Sequence, residues 1–331
     1  MIGFVVNPVS GNGKGIRTWK KIERMLQKEK SPYLLRITEK PGDASVFARV
    51  MALRGDCTAV VAVGGDGTVS ETAAGLLEAD ATAPLGHIPA GSGNDFSRAL
   101  GIPAGESDAL SFALSGAGAA AGGLRRIDLF AYRRGAGPEE AADAAGVAIC
   151  SLGAGFDGKV AQETNRSAYK RWLNRFRLGS LAYPLSVLIA LATYKPCRVR
   201  VTVDGQPHDY DDVWLVAVAN VSTYGGGMRI CPGARPDDGL ADVCVVHRLG
   251  RLQFLRFFPR VYSGSHIDLP YVSLHRGQRV EIRADRPLSV HADGEYAGET
   301  PLEIRVAAGA LPVLGTSPDQ CGNSPETGQT H

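Results

Sequence analysis

The stretch Thr58 to Val69 (TAVVAVGGDGTV) decides the fold of this chain. Its first half, residues 58–63, is small or apolar without alternation, which is typical of a strand buried on both faces of a parallel sheet. Glycines and Asp66 follow as a predicted turn, and residues 69–77 are predicted to form the next helix. A turn between a strand and a helix N-terminus lets the backbone approach an anion closely. The stretch therefore predicts an anion-binding turn in a wound α/β sheet.

The pattern around this stretch divides the chain into two predicted domains. Over residues 1–125, short apolar runs alternate with amphipathic helical stretches, which predicts an α/β domain with a parallel sheet. Over residues 126–309, strand-like runs separated by Gly, Pro and Asp turns predict an antiparallel β-sandwich with a helical insertion at 161–194. These runs lie at 127–132, 147–152, 198–203, 213–218, 241–246, 279–283 and 302–306. A last strand near 310–314 could return to the first domain, and the polar tail 315–331 is expected to be disordered.

A second glycine-rich turn, residues 89–96 (PAGSGNDF), follows the next predicted strand at 85–88. Because parallel strands end at one sheet edge, this turn, the first turn and the loop 38–44 are predicted to form a cleft. Carboxylates at Asp66 and Asp95 are suited to hold the magnesium that nucleotide phosphates carry, so the pair of turns indicates ATP chemistry. Read alone, the first turn could equally be structural, with Asp66 capping the next helix.

The loop after the first predicted strand also offers phosphate ligands. Residues 7–15 (NPVSGNGKG) precede a predicted helix, so the loop amides, Asn7 and Lys14 could reach phosphate oxygens. The loop is not a Walker loop, because Pro8 occupies the first glycine position of that motif and Gly15 replaces its hydroxyl residue. A plain strand-to-helix turn is the alternative.

Composition narrows the class of protein. The chain has 331 residues, a net charge of +2 and 44% hydrophobic residues, which is globular and too weakly charged to indicate a nucleic acid partner. The six cysteines form no C-x-x-C pair, so no redox or thiolate metal site is predicted. The apolar run 2–6 has no basic segment before it, and the uncharged run 181–194 is shorter than the about 20 residues that span a bilayer. A cytoplasmic protein is expected.

The order and spacing of motifs along the chain resemble the diacylglycerol kinase catalytic family, which includes bacterial lipid kinases and sphingosine and ceramide kinases. The motifs that carry the resemblance are Asn7-Pro8-x-Ser10-Gly11, Thr38-x-x-x-Gly42-Asp43-Ala44, Gly64-Gly65-Asp66-Gly67-Thr68-x-x-Glu71, Pro89-x-Gly91-x-Gly93-Asn94-Asp95-Phe96, Ile127-Asp128, Gly153-x-Gly155-Phe156-Asp157, Asp237-Asp238-Gly239-Leu240-Ala241-Asp242-Val243 and Asp293-Gly294-Glu295. The family usually has Thr at Ser92, Asn at Ser70 and an aliphatic residue at Ala292, and these departures remove no group that the chemistry needs.

The resemblance implies sites for ATP and magnesium. Together with the loop positions it assigns ATP binding to Asn7, Lys14, Thr38, Gly64, Gly65, Asp66, Gly67, Thr68, Val69, Ser70, Gly91, Ser92 and Asn94. Asp66 and Asp95, with Asp128, would hold the catalytic magnesium, since phosphoryl transfer needs mainly positioning and charge neutralisation. A structural magnesium would be held by the Asp238 carboxylate and by the carbonyls of Arg235 and Leu240. A bare β-turn, which needs the same Asp-Gly pair, is the alternative there.

The resemblance places the general base within Asp293-Gly294-Glu295, between two predicted strands. Either carboxylate could take the proton from a lipid hydroxyl, a role that contributes about 10²–10⁴-fold in rate. Glu295 is the first choice and Asp293 the second. An ordinary acidic hairpin turn is the alternative.

Two basic segments are expected to dock transiently on an anionic membrane surface. Segment 165–200 carries Lys and Arg without any acidic residue, and segment 247–264 interleaves Arg with Leu and Phe. A solvated basic face over a hydrophobic core is the alternative.

The resulting expectation is a cytoplasmic, peripherally membrane-associated kinase that transfers the γ-phosphoryl group of ATP to a lipid hydroxyl, with diacylglycerol as first choice and phosphatidate as product. Three alternatives stay open: a sphingosine-like or ceramide-like acceptor, an NAD kinase-type enzyme, and a non-catalytic protein that binds nucleotide or lipid. The turn at 91–96 and the triplet at 293–295 count against an NAD kinase, which shares Gly-Gly-Asp-Gly-Thr. No nucleic acid partner is expected, and a homodimer is left open.

Overall fold

A computed structural model describes residues 1–80, 82–118, 124–135, 145–166 and 182–315. The chain divides into two units, one formed by Met1–Ile127 with the chain from Leu311 onward, the other by Asp128–Ala310. The boundary after Ile127 compares with a predicted boundary after residue 125. The tail predicted to be disordered lies, from residue 316 onward, outside the described residues.

The first unit has a parallel sheet built from short, apolar strands. These are β1 (Ile2–Val6), β2 (Tyr33–Ile37), β3 (Ala59–Gly64) and β4 (Leu85–Pro89). Their order is β2-β1-β3-β4, and the register aligns Ile2 with Tyr33 on one side and with Ala59 on the other. Every residue of β3 and β4 is buried, as the unbroken apolar run predicts. At Val313 the last strand of the chain pairs in parallel with Leu85.

Helices connect these strands. They are α1 (Ser10–Lys28), α2 (Asp43–Ala52), α3 (Asp66–Glu78), α4 (Asp95–Ala99) and α5 (Glu106–Gly118). Trp19, Ile22 and Leu26 recur at helical spacing on α1 and are buried, with Trp19 packed 5.2 Å from Phe4 of β1 between ring centres. The predicted turn of the first glycine motif is shorter than expected, because α3 begins at Asp66 and not at Val69.

The second unit is dominated by antiparallel strands. They are β5 (Leu124–Arg134), β6 (Ala145–Ala148), β7 (Ser151–Gly155), β8 (Cys197–Val203), β9 (Gln206–Ala219), β10 (Ala241–His247), β11 (Val272–Gly277), β12 (Arg279–Ala284), β13 (Ser289–Ala292), β14 (Glu295–Glu299) and β15 (Leu302–Leu314). The order β14-β13-β7-β9-β8-β12-β15 forms the main path, and β10 pairs with β9 and β11. The predicted single strand 147–152 is broken at residues 149–150, between β6 and β7.

Three helices accompany these strands, namely α6 (Phe156–Arg166), α7 (Ala182–Thr193) and α8 (Arg251–Ser263). An aromatic cluster fixes α8 on the strands: Phe254 stacks on Trp214 at 4.4 Å between ring centres and lies 4.7 Å from Phe156. The Trp214 indole donates to the Leu249 carbonyl over 2.7 Å, so its polar end is satisfied inside the core. Most of the predicted insertion 161–194 is helical where described, and residues 167–181 lie outside the description. Within the described part of the chain, none of the helices has the length and apolar character needed to cross a bilayer.

Candidate functional site

Four loops of the first unit lie at one edge of its sheet. They follow the carboxyl ends of β1, β2, β3 and β4, which are parallel neighbours. The amides of Asn7, Thr38 and Ala90 each donate to a carbonyl at the end of the neighbouring strand, over 3.0, 2.9 and 2.7 Å. The structure therefore brings the loop residues proposed for ATP to the edge where open α/β sheets bind ligands.

Glycines allow these loops to pack against one another. A Cβ on Gly91 would lie 2.4 Å from the Cα of Gly65, a separation that real Cβ atoms do not show. Gly11 has a φ of 54°, and a Cβ there would lie 2.4 Å from the Ala90 carbonyl oxygen. The Ser10 hydroxyl donates to the same carbonyl over 3.4 Å. The first, third and fourth loops are thus joined by backbone contacts that side chains would prevent.

Two carboxylates begin helices at this edge. Asp66 is the first residue of α3, and its Oδ1 accepts the amide of Phe96 over 3.0 Å, which ties the first turn of α3 to that of α4. Asp95 begins α4, is 4% exposed and pairs with Arg98 at 2.6 Å. A helix N-terminus stabilises both carboxylates and any nearby anion. The Asp66 carboxylate fits an oxygen ligand of magnesium, whereas a cation at Asp95 would compete with Arg98.

Part of the predicted ATP set is used inside the fold. The amides of Thr68 and Val69 donate to the Gly65 carbonyl over 3.0 and 3.1 Å, and the Val69 side chain is fully buried. These two amides are therefore helix bonds, which corrects the prediction that Val69 binds nucleotide. The Thr68 hydroxyl accepts from the Asn7 side-chain amide over 3.1 Å, which joins two of the loops. Ser70 lies farther along α3 and is half-buried.

The remaining predicted ATP ligands differ in exposure. Asn94, at a φ of 52°, accepts from the Gly91 amide and donates to the Gly91 carbonyl over 2.9 and 3.0 Å, so it shapes the second turn. Ser92 is exposed, whereas the Thr38 side chain is buried. Lys14 lies half-buried in α1, and its charge adds to the hydrogen bond from Lys21 in lowering the pKa of Glu106.

Two residues of this edge have roles that the sequence reasoning missed. The Glu71 carboxylate accepts the amides of Gly42 and Ala44 over 3.0 and 3.3 Å, which holds the start of α2. His87 of β4 is 2% exposed and lies 3.2 Å from the Gly64 carbonyl oxygen; burial lowers its pKa to about 4. The ring is therefore neutral at pH 7 and donates from Nε2 to the end of β3. A histidine inside an otherwise apolar strand was the available signal.

In the second unit, the two candidate bases have different environments. The Asp293 carboxylate accepts the amides of Ile149, Cys150 and Ser151 over 2.9, 2.8 and 2.9 Å. These three bonds hold the break between β6 and β7, which is why the predicted continuous strand is interrupted there. Glu295, by contrast, is exposed at the start of β14. This geometry disfavours Asp293 as a proton acceptor and favours Glu295.

Asp128 also differs from its expected role. Its carboxylate is 2% exposed and accepts the amides of Gly239 and Gly309 over 2.6 and 2.7 Å, while its carbonyl accepts from Asn220. A buried carboxylate that joins two loops in this way acts structurally. The predicted participation of Asp128 in catalytic magnesium binding is not supported by these contacts.

The predicted structural magnesium site coincides with an acidic cluster. Asp238 accepts the Leu240 amide over 3.1 Å and pairs with Arg276, which also lies 3.1 Å from Asp242. Burial raises the pKa of Asp242, with Asp238 adding to the effect, and among the described residues the Asp242 Oδ2 has no hydrogen-bond partner. An orphaned buried oxygen fits a nearby cation, although the described residues contain no group of three His, Cys, Asp or Glu side chains arranged for a metal. The site, with its Arg235 carbonyl, stays a prediction.

Comparison with known proteins agrees with this geometry. Residues 1–130 match the family model described as the diacylglycerol kinase catalytic domain, and residues 150–315 match the YegS C-terminal NAD kinase beta sandwich-like domain. The chain is 30% identical to a diacylglycerol kinase of Mycobacterium tuberculosis (strain H37Rv) over 94% of this chain and 93% of that one. It is 28% identical to a diacylglycerol kinase of Bacillus subtilis (strain 168) over 91% of both chains.

A solved structure supports the fold. The crystal structure of a diacylglycerol kinase from Bacillus anthracis str. Sterne matches with a TM-score of 0.67 and 22% identity, over 96% of this chain and 97% of that one. The predicted fold class, an α/β domain followed by a β-sandwich domain, is confirmed. The chain therefore belongs to the diacylglycerol kinase family and is a lipid kinase that uses ATP to phosphorylate an alcohol group.

Proposed function

We propose that this lipid kinase transfers the γ-phosphoryl group of magnesium-bound ATP to the free hydroxyl of diacylglycerol, giving phosphatidate and ADP. The observation that carries the proposal is the sheet edge where glycine-rich loops, two helix N-termini and Asp66 meet, because this arrangement suits nucleotide phosphates. Diacylglycerol is chosen as acceptor because the relatives that match nearly the whole chain carry its name.

The proposed step assigns a task to each group. The Glu295 carboxylate accepts the proton of the acceptor hydroxyl as its oxygen forms a bond to the γ-phosphorus, while the bond from that phosphorus to the β–γ bridging oxygen breaks. The bridging oxygen keeps the electron pair and leaves with ADP. Asp66 binds the magnesium, which when present neutralises charge on the phosphates. The amides at the starts of α3 and α4 stabilise the same negative charge.

Transfer of labelled γ-phosphate tests this function directly. The full chain is incubated with ATP and mixed micelles that contain diacylglycerol, ceramide, sphingosine, phosphatidylglycerol or undecaprenol, and separately with NAD. Label in phosphatidate is expected. Label in another lipid would replace diacylglycerol as acceptor, and label in NAD would favour the NAD kinase reading. Absence of label from every acceptor would contradict the proposal and favour a protein that binds nucleotide or lipid without transfer.

We further propose that the protein acts in the cytoplasm and docks on anionic membranes through the outer face of α8. The inner face of this helix, formed by Phe254, Phe257 and Val261, is buried. On its outer face Leu252, Leu255 and Tyr262 are 76, 48 and 51% exposed. Arg251, Arg256 and Arg260 are also exposed, and residues 251–263 contain no acidic residue. Apolar side chains flanked by cations suit insertion at an anionic lipid surface.

The double variant Arg256→Glu with Arg260→Glu is expected to weaken binding to anionic vesicles by at least about tenfold, since each cation near such a surface contributes about 1 kcal/mol. Sedimentation with vesicles of phosphatidylglycerol and phosphatidylcholine measures the binding. The matched control reverses the exposed Arg24 and Arg283, which lie outside α8, and should bind as wild type. Equal binding of both double variants would refute docking through α8. The other basic segment, 165–200, lies largely outside the described residues and is not addressed by this pair.

A further inference from the structure

His291 belongs to a chain of hydrogen bonds that ends next to Glu295. The Tyr224 hydroxyl donates to the Asp157 Oδ2 over 3.2 Å, and the His291 Nε2 lies 3.1 Å from the same oxygen. On the other side of the ring, the Gly294 amide donates to the His291 Nδ1 over 3.4 Å. The proposed phosphoryl transfer, as described above, does not use any of these side chains.

The direction of each bond defines the state of the ring. Because Nδ1 accepts a hydrogen from Gly294, it cannot carry a proton, so the imidazole carries its proton on Nε2 and donates it to Asp157. Asp157 is held in turn by the Gly158 amide, 2.8 Å from its Oδ1, and by Tyr224. Both ring nitrogens of His291 are therefore engaged, and the ring has one preferred orientation.

The backbone leaves room for this pair only because residue 153 is glycine. A Cβ on Gly153 would lie 2.2 Å from the Asp157 Oδ2 and 2.4 Å from the His291 Nε2. His291 itself is 3% exposed, and its ring lies against that of Tyr224 at 5.7 Å between centres. The pair is thus packed onto β7, and little movement of the imidazole is allowed.

The turn that carries Glu295 is held from two sides. On one side Asp293 binds the amides at 149–151, and its own amide donates to the Ser151 carbonyl over 2.9 Å. On the other side His291 accepts from Gly294. Asp293 and Gly294 have φ values of 48° and 85°, a pair of left-handed conformations that sharply reverses the chain. Holding both residues sets where the backbone of Glu295 begins β14.

We infer that His291, oriented by Asp157 and Tyr224, is a positioning residue that directs Glu295 toward the acceptor hydroxyl. The inference rests on the proposed function, in which Glu295 accepts the proton. His291→Ala is expected to lower kcat by about 10²-fold, the loss that a misplacement of about 1 Å produces. KM for ATP is expected to stay unchanged, because the loops assigned to ATP belong to a different part of the chain.

The experiment measures kcat and KM for ATP with the full chain and diacylglycerol micelles. His291→Asn retains a side-chain oxygen near the position of Nδ1, so it is expected to recover part of the activity that His291→Ala loses. Tyr224→Phe removes only the hydroxyl that orients Asp157 and is expected to cause a smaller loss of kcat. In the Glu295→Gln background His291→Ala is expected to cause no further loss, since a residue that acts through Glu295 has nothing left to position.

The outcomes separate this inference from the proposed function. Wild-type kcat in a folded His291→Ala, with Glu295→Gln inactive, would overturn the positioning role and leave the function intact. Full activity of Glu295→Gln would overturn the proposed base. Equal losses from His291→Ala with and without Glu295 would show that the histidine acts elsewhere. If His291→Ala does not fold, His291→Asn and Tyr224→Phe decide, because wild-type kcat in both would refute the inference.

Discussion

Asp66→Asn is expected to lower kcat by about 10³-fold, the scale on which loss of a charged group slows phosphoryl transfer. Asparagine has the same shape and can still accept the Phe96 amide through its Oδ1, so the link between α3 and α4 should persist. What disappears is the negative charge that would bind magnesium at the phosphates. Steady-state kinetics at increasing magnesium concentration measures the effect, and the variant is expected to need more magnesium for half-maximal rate.

The matched control is Asp108→Asn, which removes an acidic residue from the first turn of α5, outside the glycine-rich loops. It should keep the wild-type kcat, because it alters only the interaction of a surface carboxylate with a helix N-terminus. If Asp66→Asn retained wild-type kcat and magnesium dependence, the carboxylate would be a helix cap and the catalytic magnesium would have to be held elsewhere. Thermal unfolding of both variants distinguishes lost chemistry from lost structure.

Glu295→Gln is expected to lower kcat by about 10²–10⁴-fold, since an amide cannot accept the proton of the lipid hydroxyl. Its side chain is exposed at the start of β14, so the stability of the fold should change little. Assays of phosphatidate formation measure kcat, and thermal unfolding measures stability. KM for ATP is expected to remain that of the wild type.

Asp293→Asn provides the contrast, because it replaces the other carboxylate of the same turn. Two of its amide bonds reach Oδ1 and the third reaches Oδ2, so the new amide nitrogen would face at least one backbone N–H. The expected result is a loss of about 1–3 kcal/mol of unfolding free energy, the cost of unsatisfied buried donors. A stable but inactive Asp293→Asn, beside an active Glu295→Gln, would reverse the two roles.

Much of the fold could be predicted because its signals are local. The apolar run of β3 and the glycines that follow it identify a buried parallel strand and its ligand-binding end. The same reasoning located the second turn after β4. The start of α3 was misplaced because glycine lowers helix propensity, yet the Gly65 carbonyl accepts the amides of Thr68 and Val69 and closes the first helical turn at Asp66.

The sequence by itself determined the element order, the phosphate-binding edge and the two carboxylates from which a base could come, since each depends on residues close together in the chain. Only the tertiary structure decided between Asp293 and Glu295. The amides that hold Asp293 lie 142–144 residues earlier in the chain. The partner of His291, Asp157, is likewise 134 residues away. A hydrogen bond forms only where packing brings donor and acceptor within about 3 Å, and a linear pattern does not specify that distance.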